Sequence, residues 1–256
     1  MPYAEVDGAR LYYERGGRGA PELLFVPGWC CDRTAFQPQV DHFSRDHAVT
    51  ALDLRGCGLS DCPDDGYTIP DLADDLAQFC RGAGIDRPVI VGHSLGGMIA
   101  VELAARHPAV ASALVLVDPG PIDPLPETIE LFRALRDALE GPDGEDVRRL
   151  YTQRMGARDE ELARWIVELM GKVPLPVAAA VVRGVAEWNG VGAFSLCTLP
   201  VLLLRSELDE QPDAVRLRAL RPDLHVGITV GAGHFHQLEV PEQVNAMIER
   251  FLVVSA

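Results

Sequence analysis

The stretch Gly92-His93-Ser94-Leu95-Gly96-Gly97 constrains this chain more than any other. Before it lies Val89-Ile90-Val91, which reads as the end of a buried strand. After it, Met98 to Arg106 reads as a helix. A chain that passes from strand to helix through one residue must turn sharply, and glycines two before and two after leave the room a Cβ would fill. Such a turn lifts the Ser94 hydroxyl clear of the backbone and sets it at the positive end of the helix. The plainer alternative is a glycine-rich turn whose serine only caps the helix. The strand–helix context favours a nucleophile.

The rest of the chain supplies the matching rhythm. Ala4 to Glu14 alternates about Asp7-Gly8 and predicts a β-hairpin, followed by a loop at Gly16–Gly19. Glu22-Leu23-Leu24-Phe25-Val26, Ala48 to Asp53 and Ala113 to Asp118 are short apolar runs of the kind buried on both faces of a sheet. Helical stretches from Thr34 to Phe43 and from Ile69 to Gly82 separate them. Strand and helix alternating with short loops predict right-handed βαβ units and a parallel sheet. After Asp118 the rhythm stops. Between Pro121 and Leu199 only helical segments are found, near 127–139, 145–155, 159–170 and 177–188. The alternation resumes at Pro200–Arg205, with a helix near 213–220, a last strand at Val226–Val230 and a closing helix from Pro241 to about Val253. Four helices in a row are too many for one crossover. We therefore expect an α/β core, 1–120 and 200–256, interrupted by a helical cap, 121–199.

Composition limits the partners. In 256 residues, 38 acidic side chains against 23 basic ones leave a net charge of −15, which disfavours nucleic acid and anionic membranes. The start of the chain carries neither a basic region nor an apolar run, so a cytoplasmic location with reduced thiols is expected. The six cysteines have no C-x-x-C spacing, and pairing between the Cys30/Cys31 and Cys57/Cys62 loops is the lesser alternative. No metal and no cofactor is implied. The expected partner is a small-molecule ester; oligomeric state is not legible.

A serine hydroxyl needs a base, and the base needs a group to orient it. Of seven histidines, His234 follows the last strand through Gly231-Ala232-Gly233, at the sheet edge where α/β ligand sites gather. His236 is its rival. His93 adjoins the serine and should point away. The acid should lie between serine and histidine in the chain. Asp209, in the loop after Val201–Arg205, is favoured over Asp118, which ends the preceding strand at the same edge. Two backbone N–H groups must receive the oxyanion. Leu95 supplies one from the helix N-terminus, and Trp29, beyond Pro27-Gly28, is the candidate for the other unless it only packs beneath the cap.

These pieces together resemble the α/β-hydrolase fold family over nearly the whole chain. The matching motifs are Pro27-Gly28-Trp29, Asp53-Leu54-Arg55-Gly56-Cys57-Gly58-Leu59-Ser60, the Ser94 turn, the Ser206–Asp209 loop and Gly231-Ala232-Gly233-His234-Phe235. The resemblance implies a mostly parallel eight-stranded sheet flanked by helices, a cap inserted between strands six and seven, and a Ser94–His234–Asp209 triad. It is nearest to the capped serine esterases, lactonases and C–C bond hydrolases. The chain departs from the family's usual pattern at Pro27, at Cys57 and around Arg205-Ser206.

The leading expectation is a serine carboxylic-ester hydrolase working through an acyl-enzyme. A lactonase, or a C–C bond hydrolase of an aromatic-degradation intermediate, would keep the triad and need positive charge from cap arginines. A cofactor-free dioxygenase or a non-catalytic ligand receptor on the same fold is less favoured. Phe132, Leu135, Met155, Trp165, Met170, Trp188 and Phe194 of the cap are candidates for the pocket wall and predict a largely apolar substrate group.

Overall fold

The apolar runs divide their side chains between two cores. Leu24, Val26, Ile90, Leu114, Leu116 and Leu203 belong to one buried cluster. Their neighbours Leu23, Phe25, Val91, Val115, Val117, Leu202 and Leu204 belong to another. Successive residues of a strand point to opposite faces, so a strand covered on both sides must be apolar throughout. This is why these runs do not alternate with polar residues.

The computed structural model describes residues 2–155, 157–207 and 213–255. The strands are β1 (Tyr3–Val6), β2 (Ala9–Gly17), β3 (Leu23–Val26), β4 (Ala48–Leu52), β5 (Val89–His93), β6 (Ala113–Val117), β7 (Val201–Ser206) and β8 (His225–Thr229). They form one eight-stranded sheet in the order β1-β2-β4-β3-β5-β6-β7-β8. Only the pairings of β2 with β1 and β4 are antiparallel. The hairpin is longer than its sequence suggests, because Gly16 and Gly17 continue β2 alongside β4 rather than opening a loop.

Helices cover the faces. A 3-10 turn at Arg33–Phe36 leads into α1 (Gln37–Phe43); α2 (Ile69–Ala83) and α3 (Leu95–Arg106) follow β4 and β5. The first turn of α2 is closed by a reciprocal Thr68–Asp71 capping box. Between β6 and β7 stand five helices: α4 (Pro126–Leu139), α5 (Gly144–Met155), α6 (Glu160–Gly171), α7 (Leu175–Glu187) and α8 (Gly190–Leu196). The first four match the expected segments. The fifth is short and small-residue-rich, with too little periodicity to read, and it packs on α3. The chain ends with α9 (Asp213–Leu220), α10 (His236–Glu239) and α11 (Pro241–Val254).

Strand order reverses between β3 and β5: β4 lies on one side of β3, and the chain returns to pair β5 on the other. The crevice beyond the carboxyl ends of β3 and β5 is where an open α/β sheet places its ligand site. Gly28-Trp29 and Ser94 open from those two ends. All six cysteines are free thiols, and among them only Cys62 is exposed. Among the described residues, no single helix is long and apolar enough to cross a membrane.

Candidate active site

Ser94 has φ +51, left-handed backbone that an L side chain seldom adopts. Two glycines make the turn feasible. A Cβ on Gly96 would stand 2.1 Å from the Val26 carbonyl oxygen, and one on Gly92 would stand 2.3 Å from that of Gly96. The backbone of the turn is tied to β6, since Ser94 N–H donates to the Val117 carbonyl at 3.0 Å and Gly120 N–H donates to that of Ser94 at 3.1 Å.

The pairing of β5 with β6 sets His93 opposite Val117, so Ser94 and Asp118 leave adjacent strands side by side. Asp118 also has positive φ, +41, and is fully buried. Its Oδ2 accepts from His234 Nδ1 at 2.9 Å. Ser206 donates to both carboxylate oxygens at 3.3 Å, from its backbone N–H to Oδ1 and from its hydroxyl to Oδ2. The Arg205 Nε lies 3.6 Å from Oδ1. Burial alone would raise this carboxyl. The hydrogen bond and charge of His234, aided by Arg205, outweigh it and hold Asp118 well below the usual carboxylate range.

Asp209, the acid favoured by the sequence, lies outside the described residues. The Nδ1 of His234 carries one hydrogen, and Asp118 accepts it. Among the described residues, the carboxylate set against His234 Nδ1 is therefore that of Asp118, after β6. Ser206, the last residue of β7, serves Asp118 as a donor.

His93 does not simply point away. It is buried, its Nε2–H donates to the His234 carbonyl at 2.9 Å, and the two rings lie 4.7 Å apart. Burial first, and the neighbouring His234 second, push its pKa well down, so it is a neutral strut under the His234 loop. The rival His236 is also buried, with Nδ1 2.8 Å from the Thr229 hydroxyl, and burial lowers its pKa to about 4. It braces the loop from below and does not border the cavity.

Ser94 and His234 open into a cavity of about 370 Å³. Of the seven expected wall residues, Phe132, Leu135, Met155 and Met170 line it. Trp165, Trp188 and Phe194 do not. Trp188 turns its Nε1–H to Glu102 at 2.8 Å and borders a separate groove, Phe194 is fully buried in the core, and Trp165 packs against that core from α6. The sequence does not single out Met98, Tyr151, Val182, Val185 and Phe235, which also line the cavity, as does Arg154, one of the cap arginines considered as a source of positive charge. Tyr151, Arg154 and Met155 share one face of α5 at helical spacing, which was the available signal. Trp29 and Leu95 border the cavity beside Ser94. The Trp29 indole N–H donates to the Ala178 carbonyl of α7 at 3.0 Å and its ring meets Tyr151 edge-on, so this side chain ties the β3 loop to α5 and α7. Leu95 is the first residue of α3, and its N–H has no carbonyl four residues back within the helix.

The Asp53–Ser60 motif plays no part in the cavity. Asp53 accepts from Arg33 and Leu59 N–H groups at 2.8 and 2.9 Å, and Ser60 donates to the Asp53 carbonyl at 2.7 Å. It folds its own loop. Among the described residues, no cluster of three or more His, Cys, Asp or Glu side chains is placed to hold a metal ion.

A family model of the α/β hydrolase fold matches residues 21–240. The chain belongs to the α/β-hydrolase fold family, and it is a hydrolase of that family. The 2-(acetamidomethylene)succinate hydrolase of Mesorhizobium japonicum is 31% identical over 270 residues, spanning 96% of this chain and 94% of that protein. An esterase from Thermogutta terrifontis superposes with a TM-score of 0.87 at 24% identity, covering 99% of this chain and 98% of its own. An enol-lactonase from Burkholderia xenovorans also superposes at 0.87, with 21% identity and coverage of 98% and 100%. The last two show the shared fold.

Proposed function

We propose that the protein is a serine hydrolase that cleaves a carboxylic ester bearing a largely apolar group. Ser94 is the nucleophile, His234 the base and Asp118 the orienting acid. The observation that carries this reading is the joint placement of Ser94 and His234 on one apolar cavity, with His234 Nδ1 held by a buried carboxylate.

With Nδ1–H committed to Asp118, the other ring nitrogen of His234 carries a lone pair toward the cavity. As Ser94 Oγ attacks the carbonyl carbon, His234 Nε2 takes its proton. The backbone N–H groups of Trp29 and Leu95 receive the oxyanion. Collapse of the tetrahedral species breaks the C–O bond, and the leaving alcohol takes the proton from His234. A water then repeats the attack on the acyl-enzyme, giving its proton to His234, and Ser94 recovers it on release of the acid. Neutral His93 beneath His234 adds no charge to oppose the imidazolium.

The apolar wall of Met98, Phe132, Leu135, Met170, Val182, Val185 and Phe235 supports a largely apolar acyl or alcohol group. A panel of 4-nitrophenyl esters of graded acyl length tests the reading. Wild type should turn over several of them and Ser94→Ala none; equal turnover by both would refute it.

A second reading keeps the triad and changes the bond. The relative from Mesorhizobium is named for hydrolysis of 2-(acetamidomethylene)succinate. The same machinery suits other activated acyl carbonyls, so lactones and N-acyl compounds belong on the panel. The C–C bond alternative shares the cavity and is separated by turnover of dienoates.

A further inference from the structure

We propose that Arg154 forms an anion subsite at the mouth of the cavity, and that the substrate carries a carboxylate distant from the bond that is cleaved. This rests on the reading of the cavity as the active site and names a substrate class for it.

The cap holds eight arginines between residues 121 and 199. Six are paired with acids of the cap itself: Arg133 with Glu130, Arg136 with Asp137, Arg148 with Glu145, Arg149 with Asp146, Arg164 with Glu160 and Arg183 with Glu140. Among the described residues, no acid and no hydrogen-bond acceptor stands against the side chain of Arg154 or of Arg158. Only Arg154 lines the cavity.

Its place on α5 makes the position functional. Tyr151, Arg154 and Met155 follow one another at the i, i+3, i+4 spacing of a helix face, and all three line the cavity. Tyr151 meets the ring of Trp29, whose backbone N–H is the proposed oxyanion donor. Arg154 thus stands one helical turn from the residue packed on the Trp29 ring. Among the described residues, no aspartate or glutamate lines the cavity beside the guanidinium.

The charge of the whole chain sharpens the argument. At −15, the surface repels anions, and an anionic substrate would enter only where a local cation offsets that field. A guanidinium whose donors are uncommitted binds a carboxylate with two parallel hydrogen bonds, in a part-closed apolar cavity where such a pair is stronger than in water. The occupant this describes has an apolar body, an acyl bond at Ser94 and a carboxylate at the far end.

The test compares mono-4-nitrophenyl glutarate with 4-nitrophenyl 5-oxohexanoate, equal in length and differing in carboxylate against methyl ketone. Wild type should favour the glutarate ester by about tenfold or more in kcat/KM, chiefly through KM. Arg154→Met should lose that preference, with the kcat/KM ratio of the two esters falling to about one. Arg154→Lys should retain part of it. No preference in wild type, or a preference that survives in Arg154→Met, overturns the proposal. If neither ester is turned over, the hydrolytic reading of Ser94 fails. Calorimetry then decides the subsite: monomethyl glutarate should bind wild type more tightly than methyl 5-oxohexanoate does, and Arg154→Met should bind the two alike. Equal binding of the two by wild type overturns it.

Discussion

Asp118 Oδ2 and His234 Nδ1 meet at 2.9 Å, joining the residue after β6 to the loop after β8 across 116 positions of sequence. β7 lies between those two strands, and its last residue, Ser206, donates to the same carboxylate. The acid thus reaches past a strand that contributes a donor and no carboxylate of its own to the described site. Replacing Asp118 by Asn keeps the shape and removes the preference for the Nδ1–H tautomer. Asp118→Asn should lower kcat on the best ester by about 10³- to 10⁴-fold. Asp209→Asn should stay within a few-fold of wild type, and steady-state kinetics of the two variants side by side checks this.

Gly28 brings the β3 loop close against the Ser94 turn. A Cβ there would stand 2.9 Å from His93 Nδ1 and 3.2 Å from Ser94 Cβ. Gly28→Ala should lower kcat/KM by about tenfold or more through misplacement of the nucleophile. The melting temperature should change far less than the rate does, which thermal unfolding beside kinetics will show.

His236 gives the fold an acid-sensitive anchor. Its ordinary value near 6.5 falls to about 4 in the folded chain because burial disfavours the charged ring. The unfolded chain therefore binds the proton first. The stability this neutral ring confers is fully present above pH 6.5 and is lost as pH falls from there toward 4. Integrated over that window the loss is roughly 3 kcal/mol. Buried His93 shifts in the same direction and adds to it. Urea unfolding at pH 7.5 and pH 4.5 should show the decline, and His236→Asn should make it shallower.

The cavity wall should set chain-length preference. Met170 is 2% exposed and lines the cavity from α6. Met170→Ala should move the optimum toward longer acyl chains, by roughly fourfold in kcat/KM for each additional methylene that gains cover. The ester panel measures it directly. An unchanged optimum would place the acyl group elsewhere in the cavity.

The residues that sequence made legible are those whose chemistry is local. Ser94 stands in a turn that only its own glycines permit, and His234 follows a glycine loop off the last strand, so neighbours in the chain reveal both. The acid is a long-range property. Asp118 and Asp209 both follow apolar runs at the same edge of the sheet, and choosing between them requires knowing which loop faces His234. One local signal was present: Asp118 directly ends the apolar run Ala113–Val117 and stands before Pro119-Gly120. The wall was half legible for the same reason. Size and apolarity marked Trp165, Trp188 and Phe194, but packing assigned them to the core and to a second groove. The small residues Val182 and Val185 line the cavity with no mark in the sequence to distinguish them from the rest of α7.

The central claim is that Ser94 is a hydroxyl activated by His234 and able to form an acyl-enzyme. Fluorophosphonate labelling of the folded protein, read by intact mass and peptide mapping, tests it most directly. The account predicts a single adduct, located on Ser94 and absent from Ser94→Ala. No adduct on folded wild type, or one mapped to any other residue, would contradict it.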